Sequence, residues 1–346
     1  MKRIKVIQVG TGHDHAAGTM LTLRDLIKYY EVLGIWEPDP ALRREAERNP
    51  VYAGTPFLNP DDVPVKAGAD AFFIETQEDK LVDYAQLFAD RGYPVHMDKP
   101  GGIQMERFEK LVRTMKNQDL AFQMGYMYRY NKAVQRALQM KKEGVLGEIF
   151  SVEAQMSVRH NKQKREWLSQ FAGGMMYFLG CHLVDIVYMF CGYPDQIIPF
   201  NCSTFTDGVQ SKDYGFAVYR YSNGISFVKT NAAEVNGFAR RQIVITGSRG
   251  SIEINPIEML EEGSDLLRRS RIKYTLDNGT DAYVWADAGK TEITNVFSRY
   301  EDMLIDFALI VRKEKENPFG YDYELEMHEM FLRSCGKKQY KGAWKC

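Results

Sequence analysis

Short apolar runs alternate with segments of helical periodicity over the first 125 residues, and this alternation limits the fold more than any other feature. Strands that alternate with helices at this spacing form βαβ units and a parallel sheet. The predicted strands are 4–9, 32–36, 71–74, 93–97 and 121–124, and the predicted helices are 16–29, 40–48, 80–90 and 105–116. Sheets of this kind bind ligands at the carboxyl ends of their strands.

The pattern changes after about residue 130. The predicted helices are 132–143, 174–191, 296–315 and 323–335, and the β-rich runs are 197–205, 214–221, 225–231, 242–246 and 251–254. Turn residues such as Ser222-Asn223-Gly224 separate these runs, and strands joined by short turns favour an antiparallel sheet. We therefore predict a second part with helices over one face of a mostly antiparallel sheet.

Size and composition exclude several classes of protein. The 346 residues suffice for two domains, and 45% apolar with 26% charged residues is ordinary for a folded chain. With 45 basic and 46 acidic residues, the net charge of -1 gives no electrostatic reason to expect nucleic acid or an anionic membrane as partner. The most apolar stretch, 175–191, is shorter than a typical membrane span, so we predict a buried helix there and no membrane partner.

The cysteines and the N-terminal run both favour a cytoplasmic protein. Residues 1–10 lack the apolar core of a signal peptide. The cysteines are odd in number and lack the paired spacing of a zinc site; they are Cys181, Cys191, Cys202, Cys335 and Cys346. Scattered cysteines without a secretion signal are typical of a reducing compartment.

A glycine turn, Gly10-Thr11-Gly12, follows the first strand and begins the first helix. Gly10 allows the tight turn, and Gly12 allows the backbone to approach a pyrophosphate, which the helix N-terminus attracts. Position 15, where the usual fingerprint has a third glycine, is His15. Such a turn is also compatible with an ordinary strand-to-helix connection, so its neighbours in sequence matter.

Glu37 is the neighbour that favours a dinucleotide. It ends the second predicted strand, 27 residues after Gly10, close to the separation expected for an acid that binds a ribose diol. An acidic side chain there repels the 2′-phosphate of NADP, and Pro38 follows rather than an arginine. We therefore predict a Rossmann domain over 1–126 that binds NAD in preference to NADP. The predicted α+β domain covers 127–346, and its last helix, about 321–336, packs back on the Rossmann domain.

His13 and His15 raise the question of a metal pair. No carboxylate or thiol cluster accompanies them in the sequence, and both lie where a dinucleotide phosphate is expected. We predict no metal, and contacts to cofactor or substrate, or plain loop polarity, for the two histidines.

Several segments in order along the chain resemble the Gfo/Idh/MocA family, the relatives of glucose–fructose oxidoreductase and inositol dehydrogenase. The segments are Asp98-Lys99-Pro100, where the family has Glu-Lys-Pro, DAFFIET at 70–76, MGYMYRYN at 124–131, VLGEI at 145–149, Gly173-Gly174, GCHLVD at 180–185, GSRGSI at 247–252 and YDYE at 321–324. Each match is modest, but together they cover nearly the whole chain. The resemblance implies a nicotinamide cofactor, a sugar or polyol substrate and a homo-oligomer that uses the open sheet face.

Lys99 and His182 are the residues to which the resemblance assigns catalysis, while Thr76, Asp98 and Lys99 would contact the cofactor. A lysine at the end of a parallel strand can donate to a substrate oxygen and stabilise a developing alkoxide. The alternative is a surface lysine before a proline, but the upstream glycine turn favours the functional interpretation. A histidine suits proton transfer because its ordinary pKa lies near neutral pH, although core histidines are more common. Asp185 either orients His182 or has a purely structural role.

Phe178 departs from the family pattern, which has an aspartate four residues before the histidine, on the same helix face. A phenyl ring cannot relay a proton, so Tyr177, Tyr126 and Tyr128 are candidates to fill the gap. The predicted substrate contacts, each of which could equally be a surface residue, are Arg129, Asn131, Arg159, His160, Trp167, Phe178, Asp185 and Arg240.

Three functions remain open on this pattern. The first is an NAD-dependent dehydrogenase acting on a secondary alcohol of a sugar, polyol or glycoside. The second is an enzyme that retains NAD and cleaves a glycoside through transient oxidation and elimination, since a ketone acidifies the neighbouring C–H. The third is an NAD-binding sensor without catalysis, against which the presence of Lys99 and His182 argues.

Overall fold

The parallel sheet predicted for the first part of the chain is present in the computed structural model, which describes residues 2–264, 266–277 and 289–339. Its strands lie in the order β2-β1-β3-β4-β5, with every neighbouring pair parallel. They are β1 (Ile4–Val9), β2 (Tyr30–Trp36), β3 (Ala71–Ile74), β4 (Val95–Met97) and β5 (Phe122–Met124). The connecting helices are α1 (Ala16–Asp25), α2 (Pro40–Ala46), α3 (Leu81–Ala89) and α4 (Met105–Asn117). Cys346, one of the cysteines considered above, lies outside the described residues.

Burial explains why these apolar runs form this sheet. β1 buries five of its six residues and β3 buries all four, because helices cover both faces of a parallel sheet. Continuous apolar runs such as Ala71–Ile74 are therefore the expected sequence of its central strands. The carboxyl ends of β1, β3 and β4 all lie at one edge of the sheet, which brings the residues that follow them together.

Within the described residues, the second sheet has eight strands, in the order β15-β14-β11-β10-β6-β9-β8-β7. All neighbouring pairs are antiparallel except β6 and β9, which are parallel. The strands are β6 (Ile149–Ser157), β7 (Gln196–Pro199), β8 (Tyr214–Tyr221), β9 (Gly224–Asn231), β10 (Gln242–Gly247), β11 (Gly250–Ile254), β14 (Arg271–Leu276) and β15 (Lys290–Ile293). A smaller sheet contains β12 (Met259–Leu260), β13 (Leu267–Arg269) and β16 (Phe297–Ser298). The predicted fold class, a parallel Rossmann sheet followed by a mostly antiparallel α+β region, is confirmed.

The structure corrects the sequence analysis at several elements of this second part. β6 lies in the interior of the large sheet but was not predicted, although Val152, Ala154 and Met156 alternate with polar residues as a half-buried strand requires. The predicted strand 197–205 ends at Pro199. The predicted helix 296–315 is shorter because residues 297 and 298 pair with β13 instead.

The remaining helices are α5 (Lys132–Lys142), α6 (Lys162–Trp167), α7 (Cys181–Cys191), α8 (Glu301–Val311) and α9 (Tyr321–Ser334). α7 packs on β6 and β9. The predicted helix 174–191 is interrupted, because Met176–Gly180 forms a π-helical turn directly before α7. None of the helices in the described part of the chain combines the length and apolarity of a membrane span.

The described residues divide into two compact units. The N-terminal unit contains residues 2–127 together with Tyr300–Leu325, and the C-terminal unit contains 128–299 and 326–339. The sequence predicted a second domain over 127–346 whose last helix packs back on the first domain, and the division assigns α8 and the first turn of α9 to the N-terminal unit. The contacts agree with this assignment: Tyr30 donates to the Leu304 carbonyl, and Gln123 donates to the Met303 carbonyl.

Candidate active site

The glycine turn follows β1 as predicted, and its backbone geometry requires glycine. Gly10 has φ +82°, and a Cβ added there would lie 2.5 Å from the side chain of Thr76, which follows β3. A side chain at Gly12 would lie 3.0 Å from Gln77 and Leu42. The loop therefore has no room for a side chain at Gly10 and little at Gly12, so both glycines allow the close backbone packing that is typical of a dinucleotide-binding turn.

Glu37, directly after β2, is tied to this loop. Its Oε2 accepts hydrogen bonds from the Thr11 backbone N–H at 2.7 Å and the Thr11 hydroxyl at 2.9 Å, and its Oε1 accepts from the Asp39 N–H at 3.0 Å. Burial raises the pKa of Glu37, while these hydrogen bonds act in the opposite direction. The acid predicted to select the cofactor thus also fixes the conformation of the loop.

His13, His15 and Asp98 form one hydrogen-bonded cluster beside Lys99. Asp98 Oδ2 lies 3.2 Å from His13 Nδ1 and 3.1 Å from His15 Nδ1, and Asp98 Oδ1 accepts from the Lys99 backbone N–H at 2.6 Å. The Lys99 carbonyl in turn accepts from His13 Nε2–H at 2.9 Å. Both backbone groups of Lys99 are therefore held by the cluster, and its side chain is buried at 2% exposure.

Charge in this cluster follows from burial and proximity. Burial alone would raise the pKa of Asp98, but the neighbouring His13 and His15 rings hold its pKa well below the ordinary value. Burial lowers the pKa of His15 to about 4 in spite of Asp98. Asp98 is thus the anion of the cluster at neutral pH.

The sequence-based statement that no carboxylate accompanies the two histidines is wrong, because Asp98 lies between them. The geometry nevertheless favours hydrogen bonding over metal coordination. His13 Nδ1 faces Asp98 and also lies 3.2 Å from the His15 backbone nitrogen. This ring nitrogen is therefore either protonated, and donates to Asp98, or accepts the His15 N–H. In neither case does it keep a lone pair for a metal ion. We therefore interpret His13, His15 and Asp98 as a hydrogen-bonded cluster that fixes the conformation of the glycine turn and the backbone of Lys99.

Glu75 adds a second buried carboxyl group at this edge, one that sequence analysis did not select. Its Oε2 lies 3.9 Å from His13 Nδ1, and the side chain is fully buried. Burial raises the pKa of Glu75 well above its ordinary value, and the negative charge of Asp98 raises it further. Glu75 is therefore the carboxyl group that stays protonated beside the ionised Asp98.

His182 lies in the first turn of α7, directly after the π-helical turn Met176–Gly180. It is 1% exposed, and the Tyr128 ring packs edge-on against it with a centroid distance of 4.9 Å. A π-helical turn contains an extra residue relative to an α-helical one and is frequent at functional sites. The spacing from Phe178 to His182 is therefore not that of the regular α-helix that sequence analysis assumed.

Tyr128 does not supply the donor that Phe178 removes. Its hydroxyl donates to Glu258 Oε2 at 2.7 Å and accepts from Arg241 Nη1 at 2.9 Å. Burial raises the pKa of Tyr128 to about 12, and the Glu258 charge adds to this. Burial would raise the pKa of Glu258, but Arg299 holds it below the ordinary value. Its two hydroxyl hydrogen bonds thus fix the Tyr128 ring in its position against His182.

Three of the predicted substrate contacts, Arg129, Asp185 and Asn131, instead have buried polar partners. Arg129 makes a bidentate contact with Asp185 at 2.8–3.1 Å, and both side chains are 1% exposed. Asn131 caps α5 and donates to the Ile257 carbonyl and the Ser270 hydroxyl. These contacts favour the structural alternative for Asn131 and give Asp185 a partner other than His182.

Phe178 lies in an aromatic wall of the C-terminal unit. It is 5% exposed and packs edge-on against Trp167 at 5.4 Å and His160 at 5.9 Å between ring centroids. The Lys164 Nζ atom lies 4.6 Å from the centre of the Phe178 ring. Three predicted contacts, Phe178, Trp167 and His160, are therefore neighbours, and sequence analysis missed Lys164 although the basic run 159–165 contains it.

The two remaining predicted contacts are exposed. Arg159 is exposed beside a backbone bridge to Ala233, and Arg240 forms an exposed ion pair with Glu234.

Lys99 belongs to the N-terminal unit and His182 to the C-terminal unit, and each has its own set of partners.

Residues 134–253 match a family model described as the GFO/IDH/MocA C-terminal domain. The matched segment begins in α5, ends in β11 and includes His182, Phe178 and the basic run. It therefore covers most of the C-terminal unit, including the residues around the candidate histidine.

Two curated relatives each match about half of the chain. One is the 2,7-anhydro-N-acetylneuraminate hydratase of Escherichia coli (strain K12), 25% identical over 193 residues, which are 54% of this chain and 50% of the relative. The other is D-xylose 1-dehydrogenase (NADP(+)) 2 of Haloferax volcanii, 25% identical over 157 residues, which are 45% of this chain and 47% of the relative. The chain thus spans about half the length of these relatives.

A solved structure shares the fold over nearly the full length. The WlbA dehydrogenase from Bordetella pertussis, in complex with NADH and UDP-GlcNAcA, superposes with a TM-score of 0.72 at 16% identity and 97% coverage of both chains. At this identity the likeness concerns the fold. The matched C-terminal domain and the ordered motifs support the resemblance to the Gfo/Idh/MocA family over residues 134–253, and the shared fold extends over the rest of the chain.

Proposed function

We propose that this chain is an NAD-dependent oxidoreductase that acts on a secondary alcohol of a sugar, polyol or glycoside. The observation that carries the proposal is Lys99: a buried lysine at the carboxyl end of β4, held through both backbone groups beside the glycine turn. The carboxyl ends of the strands of a parallel sheet are where such folds bind their ligands, and a lysine ammonium fixed there can donate to a substrate oxygen.

The proposed roles follow from what each side chain can do. A bound nicotinamide would supply the hydride acceptor, or the donor in the reverse direction. Lys99 donates a hydrogen bond to the substrate oxygen and stabilises the negative charge that develops there. His182 accepts the alcohol proton, and the fixed Tyr128 ring limits its orientation. The Asp98 cluster acts on Lys99 and does not touch the substrate.

NAD is proposed as the cofactor in preference to NADP. Glu37 lies directly after β2, where a ribose diol would bind, and its carboxylate would repel a 2′-phosphate. Among the relatives, the Bordetella pertussis structure contains NADH and the Haloferax volcanii enzyme is named for NADP(+). The proposed preference for NAD over NADP therefore depends on Glu37 of this chain.

A second candidate is a cofactor-retaining enzyme that cleaves a bond in a glycoside. Two observations favour it: one relative is named a hydratase, and Phe178 replaces the family aspartate. Oxidation of a hydroxyl to a ketone acidifies the neighbouring C–H, so a base of the protein can take that proton. The C–O bond at the next carbon then breaks, a C=C bond forms, and the departing alkoxide takes up a proton to leave as an alcohol. Return of the hydride then restores the cofactor, so the net reaction forms no NADH.

One experiment separates the two candidates. Mass spectrometry of ligand released from the purified protein identifies a retained cofactor, and a screen of sugars, polyols and glycosides with added NAD follows absorbance at 340 nm together with product analysis. NADH formed in proportion to product supports the dehydrogenase. Cleaved glycoside without net NADH supports the second candidate, and absence of both reactions over the whole panel contradicts both. Light scattering on the same sample tests the proposed homo-oligomer.

A further inference from the structure

His182 follows directly after an irregular stretch of helix. The π-helical turn Met176–Gly180 precedes α7, and His182 is the second residue of α7. A π-helical turn is rare and contains one residue more than a regular turn, so the backbone before His182 does not continue the geometry of α7. The position of the imidazole therefore depends on contacts that other segments make with α7 and with the ring itself.

One such contact holds α7 three residues after His182. Arg129 donates to Asp185 through both Nε and Nη2 at 2.8–3.1 Å, and both side chains are 1% exposed. A planar guanidinium that forms two hydrogen bonds with one carboxylate fixes orientation as well as distance. The pair thus fixes the part of α7 that contains His182 against the segment that contains Arg129.

The residue before Arg129 contacts the imidazole itself. The Tyr128 ring packs edge-on against His182, and the Tyr128 hydroxyl donates to Glu258 Oε2 at 2.7 Å. Glu258 is 3% exposed, and its two carboxylate oxygens accept from Arg299 at 2.8 and 2.6 Å. A carboxylate held in this way has little freedom to move, so the hydroxyl that it binds has one preferred position, and so has the ring.

The charge of Glu258 strengthens this contact. Burial acts to raise the pKa of Glu258, but Arg299 and Arg241 lower it, and the result lies below the ordinary value. Glu258 is therefore ionised at neutral pH. Hydrogen bonds to an ionised acceptor are shorter and stronger than those to a neutral one, so the carboxylate holds the Tyr128 hydroxyl more firmly than an amide would.

We propose that Glu258 and Arg129 are positioning residues for His182: Glu258 acts through the Tyr128 ring, and Arg129 acts through Asp185. Two consecutive residues of the chain then hold the imidazole and the helix that carries it. This inference rests on the proposed function, because proton transfer is what requires the imidazole to be held closely. A displacement of about 1 Å can lower a rate by about 10²-fold, even when the changed residue does not touch the substrate.

Two conservative variants each break one of these links. Tyr128→Phe keeps the ring but removes the hydroxyl that binds Glu258, and Arg129→Lys keeps the charge but cannot form the bidentate contact. Each variant should lower kcat by about 10- to 100-fold, with little change in KM or in NAD affinity. The double variant should lower kcat by less than the product of the two separate effects, because both act on the same imidazole.

A third variant tests the route from Glu258 to His182. Glu258→Gln should lower kcat in the wild-type background, because the charged acceptor of the Tyr128 hydroxyl is lost. In the Tyr128→Phe background the same change should have little further effect on kcat, since the link to the ring is already broken. An equal further loss in both backgrounds would mean that Glu258 does not act through Tyr128.

A spectroscopic readout follows His182 without requiring turnover. The NAD-loaded protein is isotopically labelled at its six histidines, and His182 is assigned as the NMR signal that His182→Asn removes. Tyr128→Phe and Arg129→Lys should each shift and broaden this signal, because the imidazole then samples more than one orientation. Tyr274→Phe is the matched control: it removes a hydroxyl that donates to Glu292 at 2.9 Å in the same unit, and it should leave the signal and kcat unchanged.

An unchanged His182 signal in both variants would overturn the inference, as would a change of the same size in Tyr274→Phe. Lower melting temperatures with an unchanged kcat would also contradict it, since Glu258 and Arg129 would then only stabilise the fold. Failure of the proposed function has a different signature. In that case the two variants alter the His182 signal, so the positioning stands, yet His182→Asn retains the full kcat.

Discussion

The two candidate regions are equally buried but are built in opposite ways. Beside the glycine turn, Asp98, Glu75 and two histidines hold one another and the Lys99 backbone through polar contacts. Around His182 the neighbours are rings, with Tyr128 against the imidazole and Phe178 about one turn before it. The polar region holds backbone positions through hydrogen bonds, whereas the aromatic region is held by ring packing.

This difference predicts different responses to mutation. Hydrogen-bonded groups in a buried network are costly to disturb, because a lost partner leaves a polar group unsatisfied. Ring contacts are less directional, so changes there should alter specificity with a smaller loss of stability.

His182→Asn should have the largest effect on catalysis. If His182 transfers the alcohol proton, kcat should fall by roughly 10²- to 10⁴-fold, while NAD affinity and fold are retained. The pH profile of alcohol oxidation should decline on the acid side in the wild type, as the imidazole is protonated, and the variant should lose that limb. A lower melting temperature with an unchanged pH profile would instead identify a packing histidine.

Lys99→Ala should lower kcat by roughly 10²- to 10³-fold, since one donor to a developing oxyanion is lost. NAD affinity, measured by calorimetry, should change little, because the Asp98 cluster contacts the backbone at position 99. Lys110→Ala, on the exposed side of α4, is the matched control. An unchanged kcat with the true substrate would show that Lys99 is a structural residue. The polar region would then have no direct part in catalysis.

Glu75→Gln should stabilise the N-terminal unit in a pH-dependent way. The folded pKa of Glu75 lies above its unfolded value, so its contribution to stability is fully present below the unfolded pKa and is lost as pH rises towards the folded pKa. The gain in unfolding free energy of the variant over wild type should therefore grow above about pH 4.5, by at most about 1.4 kcal/mol per pH unit. Urea denaturation between pH 5 and 8 measures it, with the exposed Glu106→Gln as control. A difference that stays constant over this range would mean that Glu75 is ionised in the folded protein.

Glu37→Ala should have the smallest effect, a change of about tenfold in the ratio of NADP to NAD affinity, because a like charge beside the 2′-phosphate is removed. The exposed Glu45→Ala on α2 is the control. Since Glu37 also holds Thr11, a modest loss of NAD affinity should accompany the change. Tighter binding of NADP by the wild-type protein would refute the assignment.

The sequence by itself predicted the parts of the fold that depend on local pattern. The parallel sheet followed from apolar runs between helical segments, and its strands begin and end within two residues of the predicted positions. The glycine turn was recognisable because a tight turn with positive φ at Gly10 has few alternatives to glycine. The motifs around Lys99 and His182 also indicated the family, since they occur in order along the chain.

Only the tertiary structure decided which side chains meet. β6 was not predicted because the polar residues of its alternating pattern resemble a loop. Its place inside the sheet depends on partner strands that lie more than 60 residues away in sequence. Asp98 lies 83 residues from His15 in sequence, so its position between the two histidines follows from parallel pairing of β1, β3 and β4. The contact of Lys164 with Phe178 arises in the same way, because α6 and the π-helical turn lie close together in the fold. The number of residues between these two segments does not predict that they meet. Local preferences determine elements, whereas the chemistry of a site depends on long-range contacts that a linear pattern does not encode.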